Sequence, residues 1–238
     1  MRTTIFAVLV SLAGLVPAQA QTLGRAWMDV DVTQGQAFAV AQTISRPSGS
    51  STLSATYPDL GGAVGVHLSG GYALANGLGI GVHYTAINTD HPASLGVSMP
   101  GFIVPRTASS VAYPTGQRRD RALDLSGVYA WAVDVDTVIR ADAGPTYFHV
   151  SEDRTSSVIV NTQPALAVAS GPQREVTGTG WGLHAGISLA WYAAKHVGVG
   201  AAIRVQQGSV TIVDPLSQRY TDLNAGHIVF GAGLRLRF

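Results

Sequence analysis

Cysteine is absent from the 238-residue chain, which rules out a disulfide framework, a thiol nucleophile or a Cys-based metal site. Lysine is nearly absent too: Lys195 stands alone and every other basic side chain is an arginine. Charge is scarce, at 12% of residues against about 25% in a typical soluble domain. Beyond the N-terminal region no stretch approaches the roughly 20 apolar residues of a membrane-spanning helix. A chain so poor in charge is either buried on several faces or bathed in lipid. If lipid is the solvent, the spanning elements have to be strands.

Residues 1–20 join a basic start at Arg2 to an apolar run over 5–18 and an Ala18-Gln19-Ala20 ending, the pattern of a secretory signal peptide. Ser11, Gly14 and Pro17 interrupt the run. The expected organisation is a signal peptide over 1–20 and one domain over 21–238. Without Arg2 the basic and acidic side chains balance, so a nucleic-acid partner has no electrostatic basis.

In the remainder the dominant period is two. Trp181, Leu183, Ala185, Ile187, Leu189 and Trp191 alternate with Gly182, His184, Gly186, Ser188, Ala190 and Tyr192. Val197, Val199, Ala201, Ile203 and Val205 repeat the scheme against Gly198, Gly200, Ala202, Arg204 and Gln206. Alternation over ten residues is strand and does not fit a 3.6 period. Similar runs at 64–74, 78–85 and 123–131, with stretches near 25–40, 136–150 and 223–238, bring the count to eight strands.

The connections sort by length. Those at 75–77, 132–135 and 193–195 are tight; those near 44–61, 88–120, 152–175 and 212–222 are long and polar. Short turns at one end and long loops at the other predict an all-β, eight-stranded antiparallel up-and-down transmembrane β-barrel. Parity then predicts a three-residue loop 75–77 pairing Leu74 with Leu78. The same reasoning gives a three-residue loop 193–195 pairing Trp191 with Val197 and His184 with Arg204.

One face of each strand is apolar. Ten residues at about 3.3 Å each, tilted by ~40°, span about 25 Å, so Trp181 and Trp191 would mark the two membrane interfaces. Tyr72, Tyr129 and Trp131 would complete the girdle at the short-turn end. The opposite face carries His67, His83 and His227 and a network of Asp29, Asp31, Asp124, Arg140, Asp142, His184, Arg204, Arg235 and Arg237. Charges on a buried face have to be paired, and an eight-stranded barrel is just wide enough for its own side chains. This network therefore reads as a plug. At the seam, Phe238 beside Ala26 would set Arg235 opposite Asp29 and stack Arg237 on Trp27.

The chain ends Gly233-Leu234-Arg235-Leu236-Arg237-Phe238, with apolar Leu234 and Leu236 at every second position before a terminal aromatic. This ending resembles the assembly signal of Gram-negative outer-membrane barrels, carried here by Gly233, Leu234, Leu236 and Phe238. Together with the signal peptide and strand count, it resembles the small outer-membrane β-barrel family of the OmpA/OmpX type. The resemblance implies a monomer in the cell outer membrane, with turns 75–77 and 193–195 in the periplasm; as a departure from full-length OmpA, no periplasmic domain is expected after Phe238. The implied partners are outer-membrane lipid, lipopolysaccharide and the outer-membrane assembly machinery. No cofactor or metal is expected: the histidines show no tight ligand spacing.

Function is then expected in the long loops, as a structural or surface-interaction role; the alternatives are a narrow porin-like channel and an enzyme. For the enzyme, His149-Val150-Ser151 and Glu175 fall on the lipid-facing parity at the loop end. An H-x-S motif with a carboxylate resembles the lipid A deacylases, in which His would take the Ser proton and Glu would orient the ring. Arg118, Arg119 and Arg121, with Asp120 among them, form a basic cluster suited to phosphates.

Overall fold

The computed structural model describes residues 25–37, 42–48, 51–57, 62–99, 106–161 and 167–238; the segment read as a signal peptide lies outside them. Every regular element among the described residues is a strand: β1 Ala26–Ala37, β2 Gln42–Ser48, β3 Ser51–Tyr57, β4 Gly62–Ala75, β5 Leu78–Met99, β6 Arg106–Ala132 and β7 Thr137–Thr155. They continue with β8 Val158–Asn161, β9 Ala167–Ser170, β10 Gln173–Tyr192, β11 Val197–Val213, β12 Tyr220–Ala225 and β13 His227–Arg237. Strands β1, β4, β5, β6, β7, β10, β11 and β13 pair antiparallel in that order, and β13 returns to β1. The ring closes because an open sheet in lipid would leave two edges of unpaired backbone groups, each costing several kcal/mol. At the seam Trp27 faces Arg237 and Asp29 faces Arg235, and Ala26 and Phe238 exchange backbone hydrogen bonds of 3.3 and 2.9 Å.

The pleat sorts side chains by parity. On β10, Trp181 is 69% exposed while His184, inside, is 4% exposed. Val64, Val66, Leu68, Val82, Leu125, Leu183, Val199 and Leu234 join Trp181 in an apolar belt around the outside. Tyr72 and Trp191 are exposed at the short-turn end, where Tyr129 and Trp131 lie against each other with ring centroids 5.9 Å apart.

The short turns differ from the three-residue loops that parity suggested. Asn76 (φ 53°) and Gly77 (φ 80°) form a two-residue turn with Ala75 opposite Leu78. A register shift between Ala73 and Ala75 absorbs Leu74 and restores parity below, where Ser69 meets His83. A Cβ on Gly77 would also fall 2.4 Å from the Ala130 carbonyl. The β10–β11 turn uses a similar device. Ala194 and Val197 bond each other at 3.1 and 3.4 Å around Lys195-His196, while Tyr192 pairs with Gly198. Trp191 therefore meets Val199 rather than Val197, His184 meets Gln206, and Arg204 meets Gly186. The shift is an even one, so both polar side chains stay inside.

The long loops are not irregular. The first contains the β2–β3 hairpin, which joins the sheet through β3–β5. In the second, β5 and β6 stay paired as far as Met99 and Arg106. The third contains β8–β9, and in the fourth β12 runs beside β11.

Candidate functional site

From the short-turn end upward, the lumen begins with a buried ion cluster. Arg140 on β7 donates to Asp29 at 2.9 Å and to the Tyr192 hydroxyl at 2.6 Å. Arg235 donates to Asp31 and lies 3.8 Å from Asp29. The seam sets Arg235 opposite Asp29, but its guanidinium bonds Asp31, while Arg140 bonds the far oxygen of Asp29. The stacking differs from the expected Arg237–Trp27 contact. Arg140, not Arg237, covers Trp27 at 5.2 Å. Arg237 turns out over Tyr192 at 4.1 Å, and its Nε donates to the Lys195 carbonyl at 2.8 Å.

Above this cluster Arg204 is the hub. It donates to both Asp142 oxygens at 3.1 and 3.2 Å and to His83 Nδ1 at 3.0 Å, and it lies against His67. His184 stands 3.5 Å from Asp142 and 3.7 Å from Asp124, with Thr146 at 3.1 Å. Gln206 donates to Asp124 at 2.9 Å. His83 bonds Ser126 at 2.7 Å and His67 bonds Thr85 at 3.0 Å. Donor atoms of His83, Asp142 and His184 lie within 4.8 Å of one another. They come from β5, β7 and β10, so linear spacing carried no sign of them. The Arg204 guanidinium already neutralises Asp142 in their midst, and a metal cation there would stand against a fixed positive charge.

A third layer is mostly apolar: Phe148, Val150, Val176, Val210, Ile212 and Leu223 fill the barrel above His67, His83 and His184, beside the buried Arg118–Asp120–His227 group. Gly208 makes room for this layer, since a Cβ there would meet Phe148 at 2.6 Å. Two cavities in the polar part of the lumen measure about 20 and 10 Å³, each room for roughly one water. Among the described residues, side chains pack the interior from the Arg140 cluster to the apolar layer.

The loops close over this layer with a core of their own. Ile44, Ala55, Tyr57, Leu95, Val97, Val158, Val168 and Leu216, from all four long loops, are buried together. Arg154, 1% exposed, ties the cap down. It donates to Glu152 at 3.2 Å, Asp214 at 3.1 Å and Gln42 at 3.1 Å, and lies 4.4 Å from the centre of the Tyr57 ring. Asp214 in turn accepts from Leu216 N at 3.0 Å and Ser217 N at 2.8 Å, fixing the tip of the fourth loop. Burial pushes the Tyr57 phenol up to about 12. Sequence reading missed this cap, although Ala55 and Tyr57, or Leu95 and Val97, show the alternation that marks strands.

On the outside, at the long-loop edge of the apolar belt, Tyr147 packs edge-on against Trp181 with centroids 5.3 Å apart. Tyr147 was not singled out from sequence, though it shares parity with His149. One step up, Arg121 stands opposite His149, and His149 opposite Thr179; one further, Arg119 and Thr177 flank Ser151. The basic cluster therefore divides. Arg118 shares parity with Ala122 and Asp124 and points inward, bonding Asp120 at 2.8 Å and the Asn224 carbonyl at 2.8 Å. Asp120 also meets His227 at 3.0 Å. Only Arg119 and Arg121 face out. Ser151 Oγ donates directly to Glu175 Oε1, and Arg119 lies 3.9 Å from the same carboxylate. Among the described residues His149 bonds neither Ser151 nor Glu175, so Ser151, His149 and Glu175 do not form the relay that the motif suggests.

No protein-family model matches the sequence, and no curated protein matches it. Among solved structures, the outer membrane protein OprG from Pseudomonas aeruginosa aligns over 91% of this chain and 96% of its own, with TM-score 0.52 at 12% identity. Neisserial surface protein A aligns over 90% and 97%, with TM-score 0.45 at 16% identity. The attachment invasion locus protein Ail of Yersinia pestis, in complex with the heparin analogue sucrose octasulfate, aligns over 90% and 99%, with TM-score 0.43 at 10% identity. At such identity the OprG likeness speaks for the fold alone. That fold, closed, apolar outside and packed with paired charges inside, is that of the small outer-membrane β-barrels. Its apolar belt suits it to a bilayer.

Proposed function

We propose that this chain is a monomeric outer-membrane barrel with a structural or surface-interaction role, exercised through the cap that its long loops build. The observation that carries the reading is the contrast between the two ends. At one end lie turns of a few residues. At the other, four loops assemble a second core, organised by Arg154, above a lumen already filled. Ordering that much chain costs conformational entropy with no return to the barrel itself, which favours a surface presented to something outside.

In this reading the long loops face outward, and the turns around Asn76-Gly77 and Lys195-His196 face the periplasm. Gly233, Leu234, Leu236 and Phe238, on the strand that closes the seam, serve as the assembly signal. Outer-membrane lipid and lipopolysaccharide surround the belt, with Trp181 and Trp191 at its two edges. The packed lumen weighs against a channel. The missing link between His149 and Ser151 weighs against lipid A deacylation.

The test is surface labelling joined to two activity assays. A cysteine placed at Asp90, in the second loop, should react with an impermeant reagent on intact cells, and Lys195→Cys only after lysis. Planar bilayers should show no single-channel steps, and lipid A from cells with and without the protein should have one mass. Labelling of Lys195→Cys from outside would reverse the topology. Discrete conductance or a shortened lipid A would replace the structural reading.

A further inference from the structure

Among the described residues, the outward row of Arg121 and His149 takes no part in the ion pairs that hold the barrel and the cap. We propose that Arg121 and His149, directly above the Tyr147–Trp181 pair, form a binding site for one phosphate of a lipid headgroup in the facing leaflet. The inference rests on the reading that the long-loop end lies at the outer face, and it names the partner there.

Depth is the first argument. The two rings form the upper edge of the apolar belt. Arg121 lies two residues above Leu123, which pairs with Tyr147, and His149 lies two residues above Tyr147. Two residues of tilted strand rise about 5 Å. The polar headgroup layer occupies about 5–7 Å on each side of the hydrocarbon, so the row sits where lipid phosphates are.

Charge is the second. Arg121 is exposed and makes no ion pair among the described residues. Its neighbour Arg119 differs, having both Glu175 at 3.9 Å and Gln117 at 3.1 Å. No carboxylate shares the Arg121 row: its cross-strand partners are Ala86 and His149. An arginine directly opposite a histidine is a poor pair on its own, but a phosphate between them accepts from both, and the guanidinium fork suits its oxygens. Trp181, 69% exposed, and Tyr147 offer the apolar wall against which the attached chain would lie. A free phosphate would gain nothing from that wall, which is why the site is assigned to a lipid.

Native mass spectrometry of the purified full barrel in phosphate-free maltoside micelles tests this, with lipid A, phosphorylated or dephosphorylated, as the probe. The wild type should retain phosphorylated lipid A about tenfold more than the dephosphorylated form. Arg121→Gln should lose most of that preference and His149→Ala part of it, while Arg219→Gln, at an exposed arginine in the fourth loop, should keep it. The heat-dependent gel shift verifies that each variant is folded. Equal retention by folded Arg121→Gln, or no preference for the phosphorylated form, would overturn the site. Displacement of the lipid by an equal concentration of inorganic phosphate would overturn its assignment to a lipid. Surface labelling is a separate readout: if Lys195→Cys reacts from outside while Arg121 still governs retention, the site stands and the topology fails.

Discussion

Arg154→Met separates the cap from the barrel. The substitution keeps most of the side-chain bulk but removes the cation between Glu152 and Asp214, which are 3% and 0% exposed. Breaking a buried pair by removing one partner costs about 3–5 kcal/mol, because the remaining charge stays desolvated. The lost contact with the Tyr57 ring adds about 0.5–2 kcal/mol. Arg154 touches the cap at Gln42, Tyr57 and Asp214, and among the described residues it bonds nothing in the lower lumen, so the loss falls on local opening of the cap rather than on the barrel. At about 1.4 kcal/mol per factor of ten, the combined loss raises the population with an open cap by about two and a half to five orders of magnitude. Where reclosing outpaces cleavage, proteolysis follows that population. The assay is the rate of loop cleavage by a soluble protease on the folded protein, alongside the temperature at which the heat-modifiable gel band shifts. Cleavage should accelerate about 100-fold or more while the band shift moves little. Asp214→Asn in the same chain should recover part of the loss, since the amide oxygen still accepts from Leu216 and Ser217. Unchanged cleavage, or loss of the folded band along with the cap, would refute the reasoning.

At the seam, Arg235→Glu should lower the heat stability of the folded band, and Asp31→Arg in the same chain should restore more of it than Asp29→Arg, because Asp31 is the residue Arg235 bonds; equal rescue would contradict that partnership. Gly208→Ala should cost about 1–3 kcal/mol by overpacking against Phe148 and the Trp181 carbonyl, and Phe148→Leu should relieve part of it when both are melted side by side; additive losses would show that the two do not meet. Tyr57 supplies an alkaline signature. Its folded pKa is about 12 against an ordinary value of 10, so its contribution to cap stability is whole below pH 10 and is lost as pH rises from 10 through 12. Loop cleavage should therefore quicken across that window in the wild type, with a smaller step in Tyr57→Phe; identical profiles would remove Tyr57 from the cap's energetics.

What was legible in the sequence followed from parity. Alternation over 181–192 and 197–206 marks two strands and separates lipid-facing tryptophans from inward histidine and arginine. Because Ala26 and Phe238 both sit at the rim, parity and chain ends together place Asp29 opposite Arg235. The parity of Arg118, shared with the inward Ala122 and Asp124, also carries its direction, which grouping it with Arg119 and Arg121 as one basic cluster overlooked. Parity does not report register. A turn of two residues plus one bulged residue covers the same count as a three-residue loop at 75–77, and at 193–197 the register moved by two. Nor does a one-dimensional pattern reveal which inward residues share a level. His83, Asp142 and His184 meet only because of the stagger of β5, β7 and β10, and Arg140 reaches Trp27 before Arg237 can. The cap was hidden for another reason: its strands are short, sit among Ser, Thr and Pro, and gain their burial from other loops.

Lipid accessibility along β10 tests the central claim most directly. Single spin labels at positions 181 through 191, in the protein reconstituted into lipid, would be relaxed by a membrane-soluble quencher and by a water-soluble one. The account predicts a period of two: Leu183, Ile187 and Leu189 open to the membrane quencher, His184 and Ala190 shielded from both, and Trp181 and Trp191 at the crossover between the two quenchers. Access of the water-soluble quencher to His184 and Ala190 would mean an open lumen. The absence of a two-residue period would mean that this strand does not cross a membrane as part of a closed barrel.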